Sequence, residues 1–180
     1  FGPSLIFEVT PRCNLDCLYC YNVWKVASDY PQGELSTDDI KVMLARVIGQ
    51  TCSRHVTFTG GEPLLRDDLE VIASFLRDNG VSMTLVTNGT LLTEERAEKL
   101  IAAGITMFEL PLLAVDSSVH NELVRKEAFE ATIDGFANAR LAGGRVAAVF
   151  VATQMNLEQW PHVIDFARAL GVEALSFNRF

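Results

Sequence analysis

Arg145-Val146-Ala147-Ala148-Val149-Phe150-Val151-Ala152-Thr153 is the stretch on which the fold turns. Val146 to Val151 is apolar without a break, and a strand with no polar face is covered on both sides. Before it, Ala128 to Ala142 has a helical pattern ended by Gly143-Gly144; after it, Asn156 caps a helix that runs to Leu170 and stops at Gly171. A buried strand between two helices is the unit of a parallel sheet. The same alternation continues outward in both directions. Val172 to Phe177 reads as a strand on the far side. Toward the N-terminus come a strand at Thr106 to Leu113 and a helix at Thr93 to Ala103 with Thr93 as its cap. Then follow a strand at Val81 to Thr87, a helix at Asp68 to Asn79 with Gly80 as its stop, and a strand at His55 to Thr59. A helix at Thr37 to Ile48, capped by Ser36 or Thr37, and a strand at Ser4 to Thr10 complete the series. Six strands separated by five helices predict an α/β fold, and a full or partial barrel and an open doubly wound sheet both satisfy the pattern.

The chain has 180 residues, enough for one domain at the usual ~150 residues each. Its net charge of −8 and scattered basic residues argue against nucleic acid, whose phosphates call for a basic face, and against anionic membranes. No run of eighteen apolar residues is present to span a membrane. The opening Phe1-Gly2-Pro3-Ser4 is not a signal peptide, so a cytoplasmic location is expected. The missing initiator Met points to a trimmed chain. A sheet that stops at Phe180 without a closing helix has an exposed edge, which creates the expectation that more protein follows.

Three of the four cysteines fall within eight residues: Pro11-Arg12-Cys13-Asn14-Leu15-Asp16-Cys17-Leu18-Tyr19-Cys20-Tyr21-Asn22. In a reducing compartment such a C-x3-C-x2-C group suggests a metal or redox site. Three thiolates leave one iron of a four-iron cluster without a protein ligand, an open position of the kind a catalytic metal uses. Two other readings stand beside it: three thiols on the buried face of a helix, and a zinc site that lacks a nearby fourth ligand. Cys52 reads as a buried structural thiol, and His55 and His162 show no partner spacing. The strand at His55 to Thr59 leads into Gly60-Gly61-Glu62-Pro63. Two glycines let the backbone turn sharply and approach a ligand, and Glu62 can accept hydrogen bonds from a ligand's ammonium group. The alternative is an ordinary strand-to-helix turn.

Taken together, C-x3-C-x2-C and the GGEP turn some forty residues on resemble the radical S-adenosylmethionine (radical SAM) superfamily, over essentially the whole chain. The resemblance implies a parallel six-stranded partial TIM barrel, (β/α)6. It implies that Cys13, Cys17 and Cys20 each bind one iron of a four-iron four-sulfur (4Fe–4S) cluster. The fourth iron would chelate the amino and carboxylate groups of S-adenosylmethionine. One electron, from a flavodoxin- or ferredoxin-like donor, would then yield a 5′-deoxyadenosyl radical that abstracts hydrogen from a substrate. By the same resemblance Tyr19 lies near the adenine, and Gly60, Gly61 and Glu62 contact the methionine amino group. Asn88, in Thr87-Asn88-Gly89, and Asn156 lie near the cofactor. Arg125, five residues after His120, pairs with a carboxylate as in peptide-modifying members, which makes it the candidate for the methionine carboxylate. Those members carry further cluster-binding cysteines downstream, here beyond Phe180. A peptide or a small molecule is the implied substrate, and no catalytic side chain is assigned. One departure stands out. Where many relatives end the fourth strand in Ser-Leu-Asp-Gly, this chain has Pro111-Leu112-Leu113-Ala114, which leaves Glu109 or Asp116 to supply polar contacts. A degenerate cluster- or zinc-bearing module is the alternative; a simple electron carrier is disfavoured, since it needs no glycine–glutamate turn.

Overall fold

The computed structural model describes residues 3–22 and 33–180. Six parallel strands, β1 (Ser4–Thr10), β2 (His55–Gly60), β3 (Ser82–Val86), β4 (Ile105–Pro111), β5 (Arg145–Ala152) and β6 (Ala174–Arg179), hydrogen-bond in their order along the chain. A doubly wound sheet reverses its strand order at a switch point. This sheet does not, so the barrel-type winding holds. β1 and β6 are its two edges, which makes the sheet an open arc, the partial barrel expected.

Helices α1 (Thr37–Thr51), α2 (Leu69–Asp78), α3 (Glu94–Ala102), α5 (Phe129–Leu141) and α6 (Trp160–Leu170) supply the crossovers. Their starts follow local chemistry. The Ser36 side chain accepts the Asp39 N–H and the Thr93 side chain accepts that of Arg96, each satisfying a backbone donor that the first turn leaves open. Asn156 departs from the cap expected of it. A 3-10 turn occupies Leu157–Gln159, α6 begins at Trp160, and the Asn156 side chain makes no cap. An additional helix, α4 (Ser117–Val124), was not evident from the sequence and lies between β4 and α5. Asp116, one of the two proposed stand-ins for the missing fourth-strand polar group, is its N-cap, accepting from Ser118.

The strands alternate more than the apolar reading of β5 suggests. Val56 and Phe58 of β2, Met83 and Leu85 of β3, Phe108 and Leu110 of β4, and Val146, Ala148 and Phe150 of β5 are buried in the main core. Fully burying the Val, Leu, Met and Phe side chains among these contributes about 1.5–3 kcal/mol each. Residues between them take the other face of the pleat, and that face is polar on several strands: Glu8, Thr57, Thr59, Thr84, Glu109, Ser176 and Asn178. In-register pairing keeps them in rows, as where Glu8 meets Thr59 and Thr57 meets Thr84. Cys52 is not a buried thiol: it is exposed, at the left-handed C-cap of α1 with φ 54°. The helix ends there and turns the residue out of the core. No helix among the described residues is long and apolar enough to cross a membrane.

Candidate active site

The segment from Thr10 to Asn22 leaves the C-terminal end of β1, the end of a parallel barrel at which sites are built. It is not helical, so the three cysteines do not share a helix face. Its roots are fastened to the β2 turn. Gly61 N donates to Thr10 O at 2.8 Å, Glu62 N donates to Arg12 O at 2.7 Å, and Asn22 Nδ2 donates to Gly60 O at 2.9 Å. Its middle is tied to the turn after β3: Asn14 Nδ2 donates to Thr90 Oγ1 and Asn88 Nδ2 to Asn14 Oδ1, both at 2.8 Å. Its far side leans on α4, where Leu18 N donates to Leu123 O at 2.8 Å and Asp16 N to Val124 O at 3.3 Å.

The glycines of the β2 turn serve this fastening. A Cβ on Gly61 would sit 2.0 Å from Arg12 O, and one on Gly60, at φ 128°, 2.5 Å from Thr10 O. The close approach that requires them is made by the cluster loop's own backbone. Glu62 is likewise turned inward. It is wholly buried. Its carboxylate accepts from Leu64 N at 3.0 Å, Thr87 Oγ1 at 2.6 Å and Asn88 N at 2.8 Å, lashing the end of β2 to the end of β3. Burial pushes its carboxyl up from the ordinary value, against the pull of the three donors.

Cys13, Cys17, Cys20, Tyr19, Asn22, Gly60, Gly61, Thr87, Asn88 and Glu109 all line one cavity of about 410 Å³, within the range of small-ligand sites. Glu62, Arg125 and Asn156 do not line it. Arg125 is exposed, at the left-handed C-cap of α4, and pairs with Asp16 at 3.2 Å. Asn156 is fully buried. Its Oδ1 accepts from Thr153 N and Oγ1, and its Nδ2 donates to Leu113 O and Val151 O, so it staples β5 to the chain leaving β4 and has no bond left for a ligand. Of the two fourth-strand candidates Glu109 lines the cavity. Asn14, which ties the loop to the turn after β3, and Asn22, which lines the cavity, are positions that the sequence reading did not single out; an Asn inside a cysteine loop has no periodicity to mark it.

Leu15, Leu113, Leu123, Val124 and Ala128 form a small separate core, with Cys13, Cys17 and Tyr19 packed against it. This apolar backing keeps water from one side of the thiols. Leu15 N donates to Cys13 Sγ at 3.5 Å. Burial pushes the Tyr19 phenol well up, reinforced by Cys17, Cys20 and Cys13 beside it. Among the described residues no group of three or more His, Cys, Asp or Glu side chains converges as ligands of one metal ion do. A multi-iron cluster takes each thiolate on a different iron, and the three cysteines line one cavity. The residues therefore fit a cluster.

Fold and site together define an α/β partial barrel with a three-thiol loop at the mouth of a ligand-sized cavity. Residues 7–167 match the profile of the Radical SAM superfamily. The chain belongs to that superfamily, whose members use a 4Fe–4S cluster and S-adenosylmethionine as cofactors. An AdoMet-dependent heme synthase of Methanosarcina barkeri is 35% identical over 177 residues, covering 96% of this chain and 49% of that protein. A probable GTP 3′,8-cyclase of Sulfurisphaera tokodaii is 34% identical over 180 residues, covering 97% and 56%. The chain thus spans about half the length of the curated relatives it matches. Streptococcus suis SuiB bound to its precursor peptide SuiA superposes with a TM-score of 0.84 at 20% identity, over 100% of this chain and 40% of that one. Native anSMEcpe with bound AdoMet gives 0.80 at 21%, over 98% and 50%. At these identities the likeness is one of fold.

Proposed function

We propose that this domain uses its cluster and S-adenosylmethionine to abstract a hydrogen atom from an organic substrate. The observation that carries the reading is the convergence of Cys13, Cys17 and Cys20 with the end of β2 and the end of β3 on one cavity. When bound, the two cofactors together supply a 5′-deoxyadenosyl radical, given one electron from a flavodoxin- or ferredoxin-like donor.

The chain's own residues hold and shield. The three thiolates take three irons. The anchored loop keeps them at fixed separations, so that little reorganisation accompanies loading. Leu15, Leu113, Leu123 and Val124 exclude water behind them, which protects a reactive radical from side reactions. Gly60, Gly61, Asn88 and Tyr19 line the cavity that the three thiols also line. Glu62 acts through the turn that it clamps, and Arg125 through Asp16 of the loop. Glu109 offers the polar contact that the Pro111-Leu112-Leu113 segment lacks. The polar inner face of the sheet continues from the cavity toward β6, where Asn178, Arg179 and Phe180 also line it. A peptide is the reading favoured by the His120-to-Arg125 spacing and by the fold shared with the peptide-bound SuiB; the sequence relatives bear small-molecule names.

Anaerobic reconstitution, reduction and assay for 5′-deoxyadenosine test the reading. Cofactor-dependent release of 5′-deoxyadenosine is expected. A chain that takes up iron but never cleaves S-adenosylmethionine is the degenerate module instead. Deuterium transfer into 5′-deoxyadenosine from a labelled peptide pool, against a labelled small-molecule pool, separates the two substrate classes.

A further inference from the structure

Glu109 lines the cavity and is half-buried rather than enclosed. Phe108 and Leu110 beside it point into the main core, so its side chain takes the opposite face of the pleat, the one that fronts the cavity. Its surroundings on that face are apolar in all four directions. Met107 and Pro111 precede and follow it on the same face of β4. Val86 of β3 and Ala147 of β5 pair with it in register. None of these four side chains carries a hydrogen-bond donor, and proline lacks a backbone one as well. The carboxylate enters no ion pair among the described residues.

Besides the three thiols, the charged side chains among the described lining residues are Glu109 and Arg179. Arg179 stands two strands away, exposed at the end of edge strand β6. Facing solvent, the Glu109 carboxylate is hydrated. A molecule that fills the cavity strips that water away, and a stripped carboxylate is costly unless a cation or donors take the water's place. The surrounding wall supplies neither. A neutral or anionic group set against Glu109 is therefore penalised, whereas a protonated nitrogen brings both charge and donors.

We propose that Glu109 is a specificity-determining residue whose carboxylate binds a protonated nitrogen of the substrate, which makes the substrate an amine or a guanidine. This rests on the function proposed above. The chemistry is common to a peptide bearing lysine or arginine and to a small amine, and it selects against carboxylates and phosphates at the same place. S-adenosylmethionine is itself a cation, so the test separates the cofactor from the substrate.

The test is equilibrium dialysis on anaerobically reconstituted protein saturated with S-adenosylmethionine, with iron content and S-adenosylmethionine affinity measured in every sample. Two probe pairs differ only in ammonium against hydroxyl: butylammonium with butanol, and N-acetyl-lysine N-methylamide with its hydroxynorleucine counterpart. In the parent the ammonium member of at least one pair is expected to bind roughly tenfold to a hundredfold more tightly than its isostere. The pair with the larger preference tells a small amine from a peptide. Glu109→Gln keeps the shape and removes the charge, so it is expected to bring that preference within about twofold while iron and S-adenosylmethionine affinity stay at the parent's level. No ammonium preference in the parent overturns the proposal, and so does a preference that survives in Glu109→Gln. A loss of about tenfold or more in S-adenosylmethionine affinity in that variant also overturns it, because the carboxylate then reads the cofactor. If Glu109→Gln fails to hold iron, Glu109→Asp decides: a retained ammonium preference supports the proposal, and its loss overturns it. Failure of the parent to bind S-adenosylmethionine at all is a different result, which sinks the underlying function.

Discussion

Replacing His120 with Leu isolates an acid-sensitive element behind the cluster loop. His120 is 1% exposed, stacks edge-on against Phe129 at 5.5 Å, and has no hydrogen-bond partner for either ring nitrogen among the described residues. Burial pushes its pKa down from 6.5 to about 4. The folded state therefore binds fewer protons than the unfolded one between those values, and stability rises with pH across that window. The contribution is fully present above pH 6.5, is lost as pH falls, and levels off below pH 4. The full span corresponds to about 3 kcal/mol, of which about 2 kcal/mol has gone by pH 5. His120→Leu removes the group that must charge, and also a buried imidazole without partners, so the variant should be at least as stable at pH 7. The assay is chemical denaturation of reconstituted parent and variant at pH 7 and pH 5. The parent should lose about 2 kcal/mol more than the variant over that interval. Because Leu123 and Val124 of the same helix accept the loop's N–H groups, the variant should also keep its iron to lower pH. Equal loss of stability in the two proteins would refute the argument.

Alanine at Cys13, Cys17 or Cys20 should abolish cluster uptake, about four irons per chain in the parent, whereas Cys52→Ser, at an exposed helix end, should leave iron content unchanged. Gly61→Ala should cost the cluster without touching a ligand, because its Cβ meets Arg12 O at 2.0 Å and the loop root must move; retained iron would show that the turn yields. Asn88→Ala should weaken S-adenosylmethionine binding more than Arg125→Ala, since Asn88 lines the cavity and holds Asn14 while Arg125 pairs with Asp16 outside it. Titration of both variants checks the order.

Local signals were legible in proportion to how local their physics is. Ser36 and Thr93 act within one helical turn, and their caps fall where the sequence puts them. The strand order follows from alternation of strand and helix, which needs no side-chain detail. Helix α4 is only eight residues long and has three apolar residues to show, too few for a period. Its importance lies in carbonyls offered to a loop a hundred residues away. Gly60, Gly61 and Glu62 illustrate a subtler limit. The motif marks the site correctly, but whether a glycine yields space to a ligand or to neighbouring backbone depends on where residues 10–12 run. Asn22 was hidden for the same reason, because its meaning comes from Gly60 across the sheet.

The cluster loop is fastened to the ends of β2 and β3 and to α4, which follows β4. Its thiols therefore register the relative positions of three separate crossovers. A core substitution that slides one strand against its neighbour reaches the irons as a change in spacing, although it lies far from any sulfur. Iron content in this domain consequently behaves as a gauge of global packing. A variant that loses iron identifies a ligand only when its fold is shown to be intact, and a remote variant that keeps its full complement of iron certifies the packing of the barrel around it.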